Sequence, residues 1–427
     1  MQFLNAILNW FGTLQGPIIV MIGIFVIALL MAKLKFLGSF RSALYMACGL
    51  IGMNAILGLF ASTMVPTVTA VIERTGLQLN IMDMGVSSTH IFTFGFPLYT
   101  LFLPIGLAVN IVMIVLKLTD TFDVDIFNYF IWGITGMIVY YITGGNFLFA
   151  ALAFILNEII VLKLADITAP KIQEFYGMPG VSIPHGNAIV FAPIGMLVEF
   201  IIDKIPGLNK IDFSAEAVQK RFGRIVEPSL LGFVLGVIFG IVAGQPSGQV
   251  MMTGATVAAF MILFPKMLST LIEGISPVAD GMREFSQKYL KRDIHIGLDA
   301  GVLIGQPEVL STGILLVPIV LLLAFILPGN RVLPLADLAI ATPFFVTACM
   351  PYHKGNIFRG LISGVLIFAV ALLITTNLAP INTWVGIQNS TPIVESGLWT
   401  SLGGLSSPFS WVIIKIFQLI SGFTIPS

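Results

Sequence analysis

No stretch of 60 residues in this chain escapes a long apolar run, and that pattern decides what the chain can fold into. The runs lie at 17–31, 43–65, 86–116, 126–143, 147–164 and 188–205, then at 229–244, 250–265, 300–327, 338–351, 357–376 and 408–422. Charged residues are 10% of the chain and hydrophobic ones 57%, against roughly 25% charged in ordinary soluble domains. Such a sequence cannot cover its surface with polar groups, so most of that surface faces lipid. Lipid offers the backbone no hydrogen bonds, so each span of about 17–25 residues is expected to be helical. The net charge of zero implies no nucleic-acid partner. Residues 1–16 carry no charge and show no signal-peptide pattern, so the first run reads as a retained span.

The runs are not all simple spans. Residues 66–79 carry Thr67, Thr69, Glu73 and Arg74 and read as an interfacial stretch after a span at 43–65. The run 86–116 is too long for one span; Ser87, Ser88, Thr89 and His90, then Gly95 and Pro97, suggest a re-entrant segment leading into a full span. Run 188–205 is interrupted by Glu199 and Asp203. Residues 206–226 are the most soluble stretch, with an amphipathic helix expected over 214–222 and Ser214 as its N-cap. A basic interfacial stretch follows at 283–292. Cys48 and Cys349 both lie in apolar runs and read as small core residues, not a disulfide or metal site.

The chain then repeats itself. Pro17 and Pro228 are 211 residues apart, and so are Pro66 and Pro277. Asp83-x-Gly85 and Asp299-x-Gly301 are 216 apart, Asp125-Ile126 and Asp337-Leu338 are 212 apart, and the pairs Gly145-Asn146/Gly355-Asn356 and Ala169-Pro170/Ala379-Pro380 are each 210 apart. Six matches in order at a nearly constant offset indicate duplication. The loop after the first span carries Lys33, Lys35 and Arg41, while its counterpart at 245–249 is uncharged, so basic loops on one side place the halves in opposite orientation. The expected fold is an all-α polytopic membrane protein of two inverted repeats, 1–225 and 226–427, each with about five spans plus re-entrant hairpins and interfacial helices. A scaffold from 17–65 and 228–267 would carry a mobile core made of the remainder, moving as an elevator.

Inverted repeats with Gly/Pro-broken helices point to a binding site near the bilayer midplane. Carboxylates in or beside the runs belong in a cavity or against a partner; for Asp125, Asp337 and Glu199 a span-end position in headgroup water is an equal reading. The break Gly177–Asn187 places His185 in an irregular turn, and Met350–Asn356 does so for His353 beside Lys354. The candidate substrate-binding residues are Asp83, Gly85, Ser87, Ser88, Asn128, Asn146, His185, Gly186, Asn187, Asp299, Gly301, Gln306, Glu308, His353 and Asn356. Of the two repeated aspartates, Asp299 has the more polar surroundings. Such groups suit polyol recognition, with Phe94, Phe96, Tyr99, Trp132 and Tyr352 as candidates to cover the C–H face. No Cys/His cluster, phosphate loop or catalytic triad stands out, so no metal, no cofactor and no catalytic nucleophile are expected on this chain.

Several of these motifs resemble a known family. Val124–Asn128, Gly180–Gly186, Lys204–Asn209, Gln219–Gly223, Glu227-Pro228, Ile296–Asp299, Leu327–Asn330 and Lys354–Arg359 are similar to those of the galactitol-specific IIC components of the bacterial phosphoenolpyruvate-dependent sugar phosphotransferase system, in the ascorbate/galactitol superfamily. The resemblance implies a multi-pass inner-membrane homodimer in contact with lipid, which passes a sugar alcohol to a cytoplasmic IIB partner, itself phosphorylated through IIA. Sugar phosphorylation then takes place with IIB. Two departures, Val86 where such members tend to carry Trp and Ile131-Trp132 where they tend to carry His, leave galactitol, galactose and other hexitols open. An ion-coupled secondary transporter using Asp83 and Asp299 is the alternative reading. A membrane enzyme with His185 as general base is a third.

Overall fold

The computed structural model describes residues 16–30, 32–75, 79–86, 89, 93, 96, 98–211, 213, 228–289, 291–334, 338–389 and 398–425. Helices dominate: α1 (Gly16–Leu30), α2 (Phe36–Thr75), α3 (Tyr99–Val115), α4 (Ile126–Ile142), α5 (Phe147–Tyr176), α6 (Ala192–Lys204), α7 (Pro228–Val242), α8 (Ser247–Tyr289), α9 (Pro307–Ile326), α10 (Leu338–Val346), α11 (Ile357–Gln388), α12 (Leu402–Leu405) and α13 (Pro408–Ser421). Among the described residues α5, α9 and α11 are long and apolar enough to cross a membrane, and α1, α3, α4, α7 and α13 contain shorter apolar stretches. The chain is a mostly helical membrane protein.

Four helices, α1, α2, α7 and α8, pack chiefly on one another, with α2 against α8 as the largest helix pair. α2 and α8 have 40 and 43 residues, so at ~1.5 Å per residue each far exceeds a ~30 Å hydrocarbon core. The expected break between a span at 43–65 and an interfacial piece at 66–79 is therefore absent over the described residues, since α2 runs on through Pro66. Hydroxyls in that stretch bond back into their own helix, Thr63 to the Leu59 carbonyl at 3.1 Å and Thr67 to that of Thr63 at 2.7 Å, which hides their polarity. α8 likewise continues through Pro277 and takes in most of the expected interfacial stretch at 283–292. Run 188–205 becomes a short 3-10 turn and the 13-residue α6. Cys349 is buried as expected, but Cys48 is exposed. The amphipathic helix expected at 214–222 lies outside the described residues.

Among the described residues six short strands form two three-stranded parallel sheets. They are β1 (Ile81–Asp83), β2 (Thr121–Asp123), β3 (Val181–Ser182), β4 (His295–Gly297), β5 (Val332–Leu333) and β6 (Leu398–Thr400). One sheet has the order β5-β1-β6 and the other β2-β4-β3. In each, the central strand comes from one half of the chain and both flanks from the other. Two or three residues cannot stand as a strand alone, so each half completes the other's backbone hydrogen bonding. Helices after the strands are placed alike: Asn146 and Asn356 cap α5 and α11, each accepting from the backbone N–H three residues on, and both helices contain a proline, Pro170 and Pro380.

α7 and α8 meet through glycine. A Cβ on Gly236 would lie 2.8 Å from the Gly254 Cα, and one on Gly254 would lie 2.9 Å from the Phe233 carbonyl oxygen. Gly254→Leu is therefore expected to destabilise by about 1–3 kcal/mol through overpacking. Thermal unfolding should show a lowered midpoint, while Gly248→Ala, where a Cβ meets nothing within 4 Å, should leave it unchanged.

Candidate functional site

Parallel strands deliver the residues after their C-terminal ends to one edge. In the β2-β4-β3 sheet those residues are Asp125, Asp299 and His185, which sequence separation alone would never group. The Val124 N–H donates to the Gly297 carbonyl at 3.4 Å and the Leu298 N–H to that of Ser182 at 3.0 Å, so the three exits stay aligned past the strands. Two carboxylates and one imidazole then converge. The Asp299 backbone N–H donates to Asp125 Oδ2 at 3.2 Å, and His185 Nε2 lies 3.2 Å from Asp299 Oδ2. Asp125 Oδ1 caps α4 by accepting from Phe127 at 3.0 Å, and Asp299 Oδ1 accepts from Gly301 at 2.6 Å. His185 Nδ1 accepts the Asn187 N–H at 3.2 Å, which leaves Nε2 to carry the ring proton toward Asp299. Phe344 packs on the imidazole edge-on, with ring centroids 4.9 Å apart.

The side chain of Asp299 is 22% exposed and that of His185 7%, so this group is held rigidly but opens to its surroundings. Two carboxylates can accept from a pair of neighbouring hydroxyls, and each is pinned by at least one backbone N–H. Asp83, in the other Asp-x-Gly sequence, differs. It is 3% exposed, and its Oδ1 accepts from Gly85 at 3.2 Å and from Leu402, beyond β6, at 3.1 Å. Gly85 takes a φ of +78°, which suits only glycine at this turn. Asp83 thus ties β1 to the chain after β6.

The other expected residues scatter. Asn128 is buried and donates to Asp123 Oδ1 at 2.9 Å, just behind the converging group. Gly186 lies against Ile131, whose Cγ2 would be 2.6 Å from a Cβ there, and the Asn187 amide donates to the Gly403 carbonyl at 2.8 Å. Gln306 precedes α9 and its amide reaches the Phe175 carbonyl at 3.4 Å, while Glu308 packs near Gly355. Asn146 is an exposed helix cap. Ser87 and Ser88, with Phe94 and Asp337, lie outside the described residues. Trp132 is fully buried between Tyr129 and Phe154, and Phe96 packs on Phe102, Tyr140 and Tyr141.

His353 and Asn356 form a separate group with Glu199 and Arg359. His353 Nδ1 meets Glu199 Oε2 and Nε2 meets Ser363 Oγ, both at 2.7 Å. Arg359 donates to Glu199 Oε1, and to Asp203 Oδ1 at 2.7 Å. The Asn356 amide donates to the Ile211 carbonyl at 2.7 Å and the Ile357 N–H to that of Phe213 at 3.2 Å. These bonds clamp the connector after α6 onto the start of α11. Burial pulls the Glu199 carboxyl upward, but the bonds and charges of His353 and Arg359 outweigh it and hold the group below the usual carboxylate range. Arg359 and Asp123 were not singled out from the sequence. Asp123 could have been: Thr121-Phe-Asp-Val-Asp125 alternates, so its two carboxylates share one face of an extended strand.

Residues 13–396 match the sequence profile of the family described as the sugar-specific permease component of the phosphotransferase system. The chain belongs to that family. This permease is 36% identical over 417 residues to a protein named "Putative permease IIC component" from Escherichia coli strain K12, covering 97% of this chain and 94% of that one. It is 33% identical over 413 residues to the "PTS system galactitol-specific EIIC component" of the same strain, covering 96% and 91%. A permease of this family works with a cytoplasmic IIB component on a sugar substrate.

Arg359→Gln should destabilise the permease by about 1–3 kcal/mol, since Glu199 would lose a charged donor while half-buried. Glu199 is ionised more readily in the folded state than unfolded, so its stabilisation is full above the unfolded carboxylate range. That stabilisation is lost as pH falls through the lower folded value. Thermal midpoints measured at pH values below the ordinary carboxylate range should therefore fall with pH for the wild type, and fall less for Glu199→Gln.

Proposed function

We propose that this permease binds galactitol, or a related hexitol or hexose, at the group formed by Asp125, His185 and Asp299. It then presents the sugar to IIB at the cytoplasmic face of the inner membrane. The observation that carries this reading is the convergence of the two carboxylates and the imidazole beyond the three parallel strands. Fixed acceptors beside a ring N–H match the alternating donors and acceptors of vicinal hydroxyls. The 33% identity to a galactitol-specific EIIC component supports the choice of sugar class. Two carboxylates also favour a neutral polyol over its phosphate ester, so the phosphorylated product would leave.

Movement is read from the same features. The landmarks at nearly constant offset and the reciprocal sheets support two inverted repeats, and the mutual packing of α1, α2, α7 and α8 supports a scaffold against which the remaining helices slide as an elevator. A homodimer through that scaffold completes the reading, in a multi-pass chain of the inner membrane.

Equilibrium binding of labelled galactitol, galactose, sorbitol and ascorbate to the purified permease tests the substrate. A hexitol or hexose should bind and ascorbate should not. Asp299→Asn should weaken the bound sugar about 10- to 100-fold, as expected for losing a hydrogen bond to a charged group. Unchanged affinity would remove Asp299 from the pocket. Accumulation of unphosphorylated sugar by vesicles lacking IIB would contradict the phosphotransferase reading.

A further inference from the structure

Glu158 lies within the long apolar helix α5, and nothing described above uses it. Its relative exposure is 0%, and neither Oε1 nor Oε2 has a hydrogen-bond partner. It is close enough to Asp123 for the two charges to repel. Asp123 is 1% exposed. Its Oδ1 accepts from the Asp125 N–H at 3.1 Å and from Asn128 at 2.9 Å, whereas Oδ2 has no partner. The Asn128 amide oxygen is buried and unpartnered as well. Four acceptor atoms are therefore enclosed here without a donor.

The surrounding elements supply no positive charge among the described residues. From α4, Tyr129 donates its hydroxyl to the Asp123 carbonyl at 3.1 Å and lies within electrostatic reach of both carboxylates. Trp132, also on α4, has an unpartnered indole N–H that could offer a hydrogen bond but no charge. α13 gives Ser410 to the Asn157 amide at 3.0 Å, and its Lys415 donates to Gln418 at 3.0 Å. On α5 itself Lys163 is committed to the Leu118 carbonyl and Asp166. His295, on β4, acts on Asp166. Beyond Asp123 stand Asp125, Asp299 and the His185 that bridges to Asp299. An ionised carboxylate buried without a partner carries a penalty of several kcal/mol, and two that repel each other carry more.

We propose that Asp123 and Glu158 form a buried site for one positive charge, either a proton or a monovalent metal ion such as sodium, directly behind the Asp125–His185–Asp299 group. Among the described residues no cluster of three acidic, histidine or cysteine side chains is placed to hold a metal, so a single charge suits the site better than a divalent ion. Asp123 joins the two layers: Oδ1 holds the Asp125 backbone, its charge acts on Glu158 on one side, and the charges of Asp125 and Asp299 act on it from the other. Occupancy of the inner site therefore sets the field in which the outer one binds. This assignment stands on burial and geometry and does not depend on the identity of the sugar.

The test follows the unfolding midpoint of the full-length protein in detergent by tryptophan fluorescence, without sugar. Wild type, Glu158→Gln and Asp123→Asn are compared in sodium chloride and choline chloride at equal ionic strength, then in choline chloride from mildly acidic to mildly alkaline pH. A rise of roughly 2–4 °C with sodium, absent from Glu158→Gln, identifies a metal ion. A fall of similar size in wild type as pH rises, flattened in Glu158→Gln, identifies a proton. A wild-type midpoint that responds to neither overturns the site, and this comparison needs no variant to fold. Responses that persist unchanged in either variant that folds overturn it equally.

Discussion

Backbone hydrogen bonding where no water is available governs this structure. Helices satisfy it internally, but a chain that must break its helices to expose polar groups leaves amides and carbonyls open. Here the breaks are closed by two parallel sheets of two- and three-residue strands, with six strand residues of the β2-β4-β3 sheet buried and paired across the halves. The side chains at the strand ends inherit fixed positions from that pairing. Asp125, His185 and Asp299 come from three distant parts of the chain and need no flexible loop to bring them together.

Membrane character and the order of the helices were legible because apolar runs are long and few other structures tolerate them. The matched Gly-Asn pairs at 145–146 and 355–356 were legible too, and in the structure Asn146 and Asn356 both cap helices. Helix ends were less legible. Pro66 reads as the start of a separate segment, yet α2 runs through it, as α8 runs through Pro277, with hydroxyls bonded within the helix and packing across the pair. The sheets were invisible, since strands of two or three residues have no periodicity to detect. Asp123 and Asp125 owe their placement to the β2-β4-β3 sheet, so neither stands out from the apolar runs beside it.

Polar groups in the core divide by how fully their atoms are engaged. His353, Asn356, Arg359 and Glu199 engage one another and the connector backbone, and so act as a clamp between α6 and α11. Asp83 is enclosed by backbone donors. Asp299, unlike Asp83, keeps an exposed face beside a second carboxylate and an imidazole. An apolar sequence with 21 acidic residues thus uses many of them as fasteners, and sequence position does not separate those from the few that face a ligand.

The exchange of flanking strands also sets an order of assembly. The β2-β4-β3 sheet can close once the chain has grown to Gly297, whereas β1 waits for β6 at Leu398–Thr400, more than 300 residues after Asp83. Pairings across such separations form late, because the chain must lose loop entropy before the contacts stabilise it. During membrane insertion β1 is consequently left with one edge unpaired, β5 holding the other, until the last part of the chain arrives. Truncation near the C-terminus would leave β1 with β5 alone, while the Asp125–His185–Asp299 frame is already assembled.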